Sequence, residues 1–341
     1  MTTIALQHTI RPYDNMNTGL VVRVRATGST PTNSRSDSGL RTARPRRPGV
    51  VLSTASERDV HDQVGRMRTF ALAPLTVLPC SPLEQIDAAL DAGFGAISFR
   101  LLPGMATDVD VMANPQLRQE MEDRVRSAGL GVVDIEVARL GPALDVAAIA
   151  PALEFGGQLG ARWFTVTAAT TAENHRAEDE RAMIDRLAGL ADEAAGHGMG
   201  IMLEFMAYRG IGTIEDAERI VRAADRPNVA ICLDTLHFFR SGATISRLRT
   251  IDPQLLACVQ LSDALTEPDT DLATEARYGR LYPGEGVLPL SELLAAVPAG
   301  LPLTVEAPSR TRSHLTPVQR AREAARWTRR LLADLDQHSL A

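Results

Sequence analysis

Polar side chains stand at the ends of four apolar runs in the second half of the chain. They are Glu204 in IMLEF, Asp234 in AICLD, Gln260 in CVQLSD and Glu306 in LTVEAP. A carboxylate beside buried apolar residues is unfavourable unless it is paired or bound to a cation. Three carboxylates at one place would also repel one another, and a divalent cation is the simplest remedy. These four residues are therefore the predicted metal ligands.

The predicted ligand atoms are all oxygens. Oxygen donors favour Mn²⁺ or Mg²⁺ over Zn²⁺, which prefers nitrogen and sulfur. We expect Mn²⁺, with Mg²⁺ or Co²⁺ as alternatives. The competing interpretation is that some of these side chains form ion pairs between strands, and Arg100 and Arg139 on earlier strands are available partners.

Other polar residues near these positions are candidates for substrate binding. His237 stands three residues after Asp234, which would place its ring over the metal and against a substrate oxygen; a packed loop histidine is the alternative. Asp263 stands three residues after Gln260 and would hold that amide or bind a substrate hydroxyl. Glu136, at the end of the third apolar run, is a further candidate for a hydrogen bond to substrate.

A long polar segment, LTEPDTDLATEARYGRLYPGEG, follows Asp263. Loops of this kind often close over an active site. Within it, Arg277 and Arg280 could bind an anionic group of the substrate, although arginines are common in loops. His175, in the loop after the fourth run, is a secondary candidate.

From Phe70 onward, short apolar runs alternate with amphipathic segments, and Ser81 is a predicted helix N-cap. Continuous apolar strands separated by helices indicate a parallel sheet, and eight such units predict a closed (β/α)₈ TIM barrel of the α/β class. An open doubly wound sheet is the alternative, but the first strand–helix turn, LPCSPLEQ, lacks the G-x-G-x-x-G pattern. The predicted strands are 70–78, 95–100, 131–136, 162–167, 199–205, 228–234, 255–263 and 301–308.

Residues 1–66 differ in composition from the rest of the chain. They are rich in Ser, Thr, Arg, Gly and Pro, with little helical or strand periodicity, which is typical of disorder. We therefore divide the chain into a disordered or dispensable extension over 1–66 and a barrel over 67–341. An interaction tail or a targeting segment is the alternative for the extension, since acid-poor, Arg- and Ser-rich composition is also typical of transit peptides.

Composition disfavours several classes of function. The formal net charge is −6, and the first fifty residues are basic, so the barrel is acidic and nucleic acid is not an expected partner. No apolar run approaches the roughly 20 residues of a membrane span. Cys80, Cys232 and Cys258 lack metal-type pairing, which is typical of buried free thiols in a reducing compartment. We therefore expect a cytoplasmic protein that does not bind membranes.

Five motifs, taken in order, resemble those of the xylose-isomerase-like barrel superfamily over roughly 70–335. This group includes sugar-phosphate isomerases and epimerases, ketose 3-epimerases, hydroxypyruvate isomerases, inosose and 3-dehydroshikimate dehydratases, and endonuclease IV. The motifs are Glu204, D-x-x-H at 234–237, Q-L-S-D at 260–263, R-x-x-P-G-E-G at 280–286 and V-E-A at 305–307.

The resemblance implies a metal bound by Glu, Asp, His and Glu from strands five to eight, which map onto Glu204, Asp234, Gln260 and Glu306. The chain departs from that pattern at Gln260, where His is more usual. The resemblance also implies that Glu204 and Glu306 lie on opposite faces of a bound ketose, one removing the proton α to the carbonyl and the other returning it. The metal would polarise substrate oxygens and stabilise an enediolate.

The predicted function is that of a metal-dependent isomerase or epimerase acting on a keto-sugar or related small polyol. A dehydratase acting on inosose or 3-dehydroshikimate is the alternative, since both reactions begin with removal of an α-proton; cleavage of an oxidised glycoside is also open. A nuclease is disfavoured, because the endonuclease IV type needs several zinc-binding histidines. The remaining hypothesis is a non-catalytic barrel that has lost its metal because of Gln260. Barrels of this kind often pair, so a homodimer is also considered.

Overall fold

The computed structural model describes residues 70–169, 180–268 and 270–339. The predicted extension over 1–66 and the candidate His175 lie outside these residues.

Eight parallel strands form a closed barrel in which each strand pairs with its neighbours in sequence. The barrel is closed by β8 and β1, whose register aligns Ala71 with Thr304. This arrangement confirms the predicted TIM barrel and excludes the open sheet. The strands are β1 Phe70–Leu72, β2 Ala96–Arg100, β3 Gly131–Leu140, β4 Trp163–Ala168, β5 Gly200–Glu204, β6 Val229–Asp234, β7 Leu256–Leu261 and β8 Leu303–Val305.

Helices connect successive strands and pack against the barrel. The predicted N-cap is confirmed: Ser81 Oγ accepts the Glu84 N–H at 3.2 Å, and the Glu84 carboxylate accepts the Ser81 N–H at 2.7 Å. Within the described ranges, no helix combines the length and apolar character needed to cross a membrane. The helices are α1 Pro74–Val77, α2 Pro82–Ala92, α3 Pro115–Ala128, α4 Val146–Gln158, α5 Glu180–Gly196, α6 Ile214–Ala224, α7 Thr235–Arg240, α8 Ile245–Leu248, α9 Leu272–Tyr278, α10 Leu290–Ala296 and α11 Pro317–Ser339.

The first strand is shorter than the sequence predicted. The strand prediction over 70–78 was wrong after Leu72, because β1 ends there and α1 begins at Pro74. Proline has no N–H for a sheet, and its fixed φ suits the first position of a helix. The helix also supports β8, since Thr76 Oγ1 donates to Val305 O at 2.8 Å and accepts the Ala307 N–H at 2.9 Å.

The third strand is longer than predicted. It continues past Glu136 to Leu140, with a shift in its register with β4 between Glu136 and Ala138. The polar residues Glu136 and Arg139 interrupt the apolar run, so the sequence placed the strand end too early. The extension aligns Arg139 with Thr167 of β4, which is itself aligned with Glu204 of β5.

Sulfur-containing side chains lie inside the barrel below the polar strand ends. Cys232 and Cys258 are aligned on β6 and β7 with their Sγ atoms 3.7 Å apart, and Met202 Sδ is 3.5 Å from Cys258 Sγ. These three side chains are buried, and the two cysteines are free thiols, as predicted; Cys80 is also free and is half-buried. Cys232, Cys258 and Met202 lie one layer below the polar strand ends.

Gly200 begins β5, the strand that carries Glu204, and it has no room for a side chain. A Cβ there would lie 2.8 Å from Asn228 O and would overlap the Trp163 ring. We expect Gly200→Ala to lower the free energy of unfolding by about 1–3 kcal/mol, the usual effect of overpacking, measured by urea denaturation. The control is Gly189→Ala in α5, where nothing lies near the added carbon and stability should stay equal or rise by up to ~1 kcal/mol. Equal losses in both variants would contradict the packing argument.

Candidate metal centre and substrate cavity

The four predicted ligands lie at the carboxyl-terminal mouth of the barrel. Asp234 and Gln260 are register partners on β6 and β7, Glu204 ends β5, and Glu306 follows β8 with its N–H donating to Leu261 O at 3.0 Å. None of the four is more than 4% exposed. Glu204 and Glu306 also line one cavity that opens to solvent. The structure therefore brings the two glutamates to one cavity, with Asp234 and Gln260 buried at the adjacent strand ends.

His237 lies with the predicted ligands. Asp234 Oδ1 accepts the His237 N–H at 3.0 Å and caps α7. Ligand atoms of Glu204, Asp234 and His237 lie within 4.8 Å of one another, and His237 Nε2 is 3.9 Å from Glu204 Oε1. The sequence predicted His237 as a substrate contact above the metal, whereas the structure places it beside the ligands. The D-x-x-H spacing carries this signal, because side chains in the first turn of a helix tilt back toward its N-terminus.

Three buried polar atoms at this place have no hydrogen-bond partner among the described residues. They are Glu204 Oε1, His237 Nε2 and Gln260 Oε1. Buried polar atoms are nearly always paired, and imidazole nitrogen, carboxylate oxygen and amide oxygen are all donors to divalent cations. The residues present therefore fit a divalent metal ion. Because a nitrogen joins the donor set, the argument from oxygen donors no longer sets Mn²⁺ or Mg²⁺ apart from Zn²⁺.

Burial sets the protonation of the acidic groups. Desolvation raises the pKa of Glu204 well above its usual range, and the charges of Glu306 and Asp234 raise it further. Desolvation also raises the pKa of Glu306 to about 8, although Arg280 opposes the shift. The pKa of Glu136 rises to about 7 for the same reason, against the effect of Arg100. A bound cation would lower these values by favouring the charged forms.

Arg280 enters the site from the loop after β7 and is only 2% exposed. Its Nη1 donates to Asp234 Oδ2 at 2.6 Å, and its Nη2 is 3.4 Å from Glu306 Oε2. Burial raises the pKa of Asp234, but Arg280 and His237 outweigh that effect and hold the pKa below its usual value. Asp234 and Glu306 thus share Arg280 as an ion-pair partner. This agrees in part with the alternative that the predicted ligands form ion pairs, but the partner is neither Arg100 nor Arg139.

Asp263 organises the loop that carries Arg280. Its Oδ1 accepts the Ala264 and Leu288 N–H groups at 2.8 and 2.9 Å, and its Oδ2 accepts the Gly284 N–H at 3.1 Å. A Cβ on Gly286 would lie 2.5 Å from Asp263 Oδ1, so this glycine allows the close approach. The sequence predicted that Asp263 holds Gln260 or binds substrate; the structure shows its carboxylate holding loop backbone instead.

The same loop contains α9, which places Arg277 in the cavity wall. Buried Glu275 accepts from Arg240 Nη2 at 2.6 Å and from Arg240 Nε at 2.9 Å, and Arg280 Nε donates to Ala276 O at 2.8 Å. The loop expected to close over the site is therefore attached to the barrel by buried charged contacts.

Further residues complete the cavity. Glu136 lines it from β3 and pairs with Arg100 at 3.1 Å, so its predicted contact with substrate stays a prediction. No motif in the sequence points to Tyr208, which lines the cavity with its ring edge-on to the His237 imidazole and 5.5 Å between centroids. Arg139 also lines the cavity, a placement that depends on the unpredicted extension of β3.

The family model for the xylose isomerase-like TIM barrel matches residues 86–331, and the chain belongs to this family. Inosose isomerase of Bacillus subtilis is 31% identical over 122 residues, which are 35% of this chain and 43% of that protein. The 3-dehydroshikimate dehydratase of Pseudomonas putida is 30% identical over 120 residues, 35% of this chain and 19% of that protein. The matched segment thus spans less than half the length of these curated relatives.

Solved structures show the same fold. The IolI protein with a bound zinc atom has a TM-score of 0.69 and 19% identity, covering 78% of this chain and 99% of that one. The apo form of the 3-keto-D-glucoside 4-epimerase YcjR from E. coli has a TM-score of 0.60 and 20% identity, covering 77% and 99%. At these identities the likeness extends to the fold alone.

The position of His237 predicts its contribution to metal binding. We expect His237→Gln to weaken binding of Mn²⁺ and Zn²⁺ by about 10- to 100-fold, because a donor beside Glu204 and Asp234 is lost or displaced. Isothermal titration calorimetry of the full chain would measure this. The control is His314→Gln, which alters an exposed histidine. Unchanged affinity in His237→Gln would remove His237 from the ligand set.

The buried glutamates predict how stability depends on pH without bound metal. Folding raises the pKa of Glu306 from 4.5 to about 8, so the folded state binds more protons in this interval and loses stability as pH rises through it. His237, whose buried pKa falls from 6.5 to about 4, acts in the opposite direction only below pH 6.5. Thermal unfolding after chelation should therefore show a falling Tm from pH 6.5 to about 8.

Glu306→Gln should make that decline in Tm shallower, because the group that releases the proton is gone. Glu120→Gln on α3, which alters an exposed carboxyl, should keep the full decline. An equal decline of Tm with pH in the unmodified protein, Glu306→Gln and Glu120→Gln would contradict the assignment of this decline to Glu306.

Proposed function

We propose that this xylose isomerase-like barrel is a divalent-metal-dependent isomerase or epimerase acting on a keto-sugar or related small polyol. The observation that supports it most is the pair Glu204 and Glu306. Both are buried, both have raised pKa values, and both line one cavity beside a cluster of unpaired donor atoms.

In this proposal Glu204, Asp234 and His237 hold the metal, and Gln260 and Glu306 complete the ring of donors. A bound divalent ion would supply Lewis-acid polarisation of substrate oxygens and stabilise developing negative charge. The 4.8 Å grouping of the first three residues and the unpaired Gln260 Oε1 support this assignment.

Glu204 and Glu306 would move the protons. Their strands, β5 and β8, are not neighbours in the barrel, so the two carboxyls approach the cavity from different directions. The ionised glutamate would take the proton α to the carbonyl, and the protonated one would return a proton to the opposite face. A group that must both accept and donate a proton needs a pKa near the working pH. Burial raises the pKa of Glu306, and Arg280 and a bound cation would act in the opposite direction.

The surrounding residues would hold the substrate's other oxygens. Glu136, Arg277 and Arg280 lie in the cavity wall and are the proposed contacts. The guanidinium of Arg280, at 3.4 Å, would favour the ionised form of Glu306. Asp263 would act indirectly, by holding the loop that carries both arginines.

A dehydratase is the second candidate. It would use the same α-proton removal but then expel the hydroxyl at the β-carbon as water. About a third of the chain is similar to a 3-dehydroshikimate dehydratase, and this similarity supports the dehydratase as a candidate.

Incubation of the metal-loaded chain with keto-polyols in D₂O tests the proposal and separates the candidates. We expect one carbon-bound deuterium in substrate or product without loss of water, detected by NMR and mass spectrometry. Loss of water would indicate the dehydratase. No exchange and no turnover across a panel of keto-polyols with Mn²⁺, Mg²⁺, Co²⁺ and Zn²⁺ would contradict both.

Variants of the two glutamates test their roles. Glu204→Gln and Glu306→Gln should each lower kcat by about 10²- to 10⁴-fold, the usual contribution of a general acid or base. Gln keeps an oxygen that can bind the metal, so metal affinity is measured in parallel. A lower kcat with unchanged metal affinity would indicate lost proton transfer, whereas a lower kcat with weaker metal binding would indicate lost metal. Glu120→Gln should keep full activity. Normal turnover in either site variant would exclude that glutamate from proton transfer.

A further inference from the structure

The cavity contains two kinds of arginine. Arg100 and Arg280 have carboxylate partners: Arg100 lies 3.1 Å from Glu136, and Arg280 lies 2.6 Å from Asp234. Their positive charges are therefore neutralised within the protein. Arg100 and Arg280 therefore balance buried carboxylates and do not form a free cationic surface.

Arg139 and Arg277 line the same cavity without such partners. Among the described residues, no carboxylate lies within ion-pair distance of either guanidinium. Arg139 donates one hydrogen bond, to the Thr167 hydroxyl, and its side chain lines the cavity. Most of the donors of these two arginines remain free to bind a ligand.

Arg209 adds a third positive charge nearby. Its Nη1 donates to Ala169 O at 3.2 Å, its buried Nε has no partner among the described residues, and its guanidinium lies 5.6 Å from the Tyr208 ring centroid. Tyr208 itself lines the cavity. Desolvation lowers the pKa of Arg139, and the charges of Arg209 and Arg277 lower it further. Like charges placed together are unfavourable alone and become favourable with an anion between them.

We propose that Arg139, Arg209 and Arg277 form a subsite for an anionic group, a carboxylate or a phosphate, on the polyol substrate. This inference rests on the proposed function for the identity of the site. Arginine's planar fork of donors matches the oxygens of both anions. The keto end of the substrate would lie at Glu204 and Glu306, and the anionic end toward the mouth.

The test is equilibrium binding to the full chain at constant low ionic strength, followed by calorimetry. The probes are inorganic phosphate and acetate, then D-fructose, D-fructuronate and D-fructose 6-phosphate as a matched set. Each is titrated with and without Mn²⁺, because an anion that binds only to the metal would require it. Arg139→Gln and Arg277→Gln are compared with Arg326→Gln, which removes an exposed charge on α11.

We expect saturable binding of phosphate or acetate in the absence of Mn²⁺, weakened about tenfold by either cavity variant, since each removes a charge-assisted contact. Arg326→Gln should stay within about twofold of the unmodified protein, because a remote charge is screened. Stronger binding of fructuronate and acetate would identify a carboxylate, and stronger binding of fructose 6-phosphate and phosphate a phosphate. Circular dichroism checks that each variant is folded, and Arg139→Lys and Arg277→Lys, which keep the charge, should recover part of the affinity.

The subsite would be refuted by the absence of saturable anion binding, by binding that needs Mn²⁺, or by equal loss in Arg326→Gln. These outcomes are independent of turnover. Failure of the isomerase proposal would instead appear as missing deuterium exchange while anion binding persists.

Discussion

The ion pair between Arg280 and Asp234 lies at the buried mouth of the barrel, with 2.6 Å between nitrogen and oxygen and almost no solvent access. Glu204, Asp234 and Glu306 are buried within the same site, and charges in a low-dielectric setting are tolerated only with compensation. Arg280 supplies it for Asp234 and Glu306. The unpaired atoms of Glu204, His237 and Gln260 mark the place where a bound cation would balance the remaining negative charge.

Charge in the cavity is arranged in two zones. The acidic zone holds the buried carboxylates together with Arg100 and Arg280, which neutralise them. The cationic zone holds Arg139 and Arg277, whose charge is unmatched among the described residues. The barrel makes this separation possible, because the strand ends carry the acidic zone, whereas the longer β3 and the β7–α10 loop carry the cationic zone. In the proposals made above, proton transfer and anion recognition would therefore depend on different elements of one fold.

The barrel and the four strand-end residues could be predicted because both are local signals: an alternation of apolar runs and helices, and a polar residue closing each run. Arg280 as the partner of Asp234 could not, since the two are 46 residues apart and the loop between them has no periodic pattern. The true end of β3 was missed because polar residues that face the cavity look like a strand terminus. The apolar run around Pro74 predicted a strand. Proline has no N–H to donate to a sheet, and the chain forms a helix there instead. His237 was predicted as a substrate contact. Its position beside Glu204 could not be predicted, because it depends on the helical turn that Asp234 caps.

The contacts that hold the Arg280 loop in place also determine how molecules could enter and leave the cavity. Asp263 fixes its two ends, and Glu275 fixes α9 to Arg240. Any swinging motion that withdrew Arg280 would leave Asp234 and Glu306 buried without their counter-charge, at a cost of about 3–5 kcal/mol. At that cost the withdrawn position would be rarely populated, so molecules would enter through the open end of the cavity beside Arg139 and Arg277.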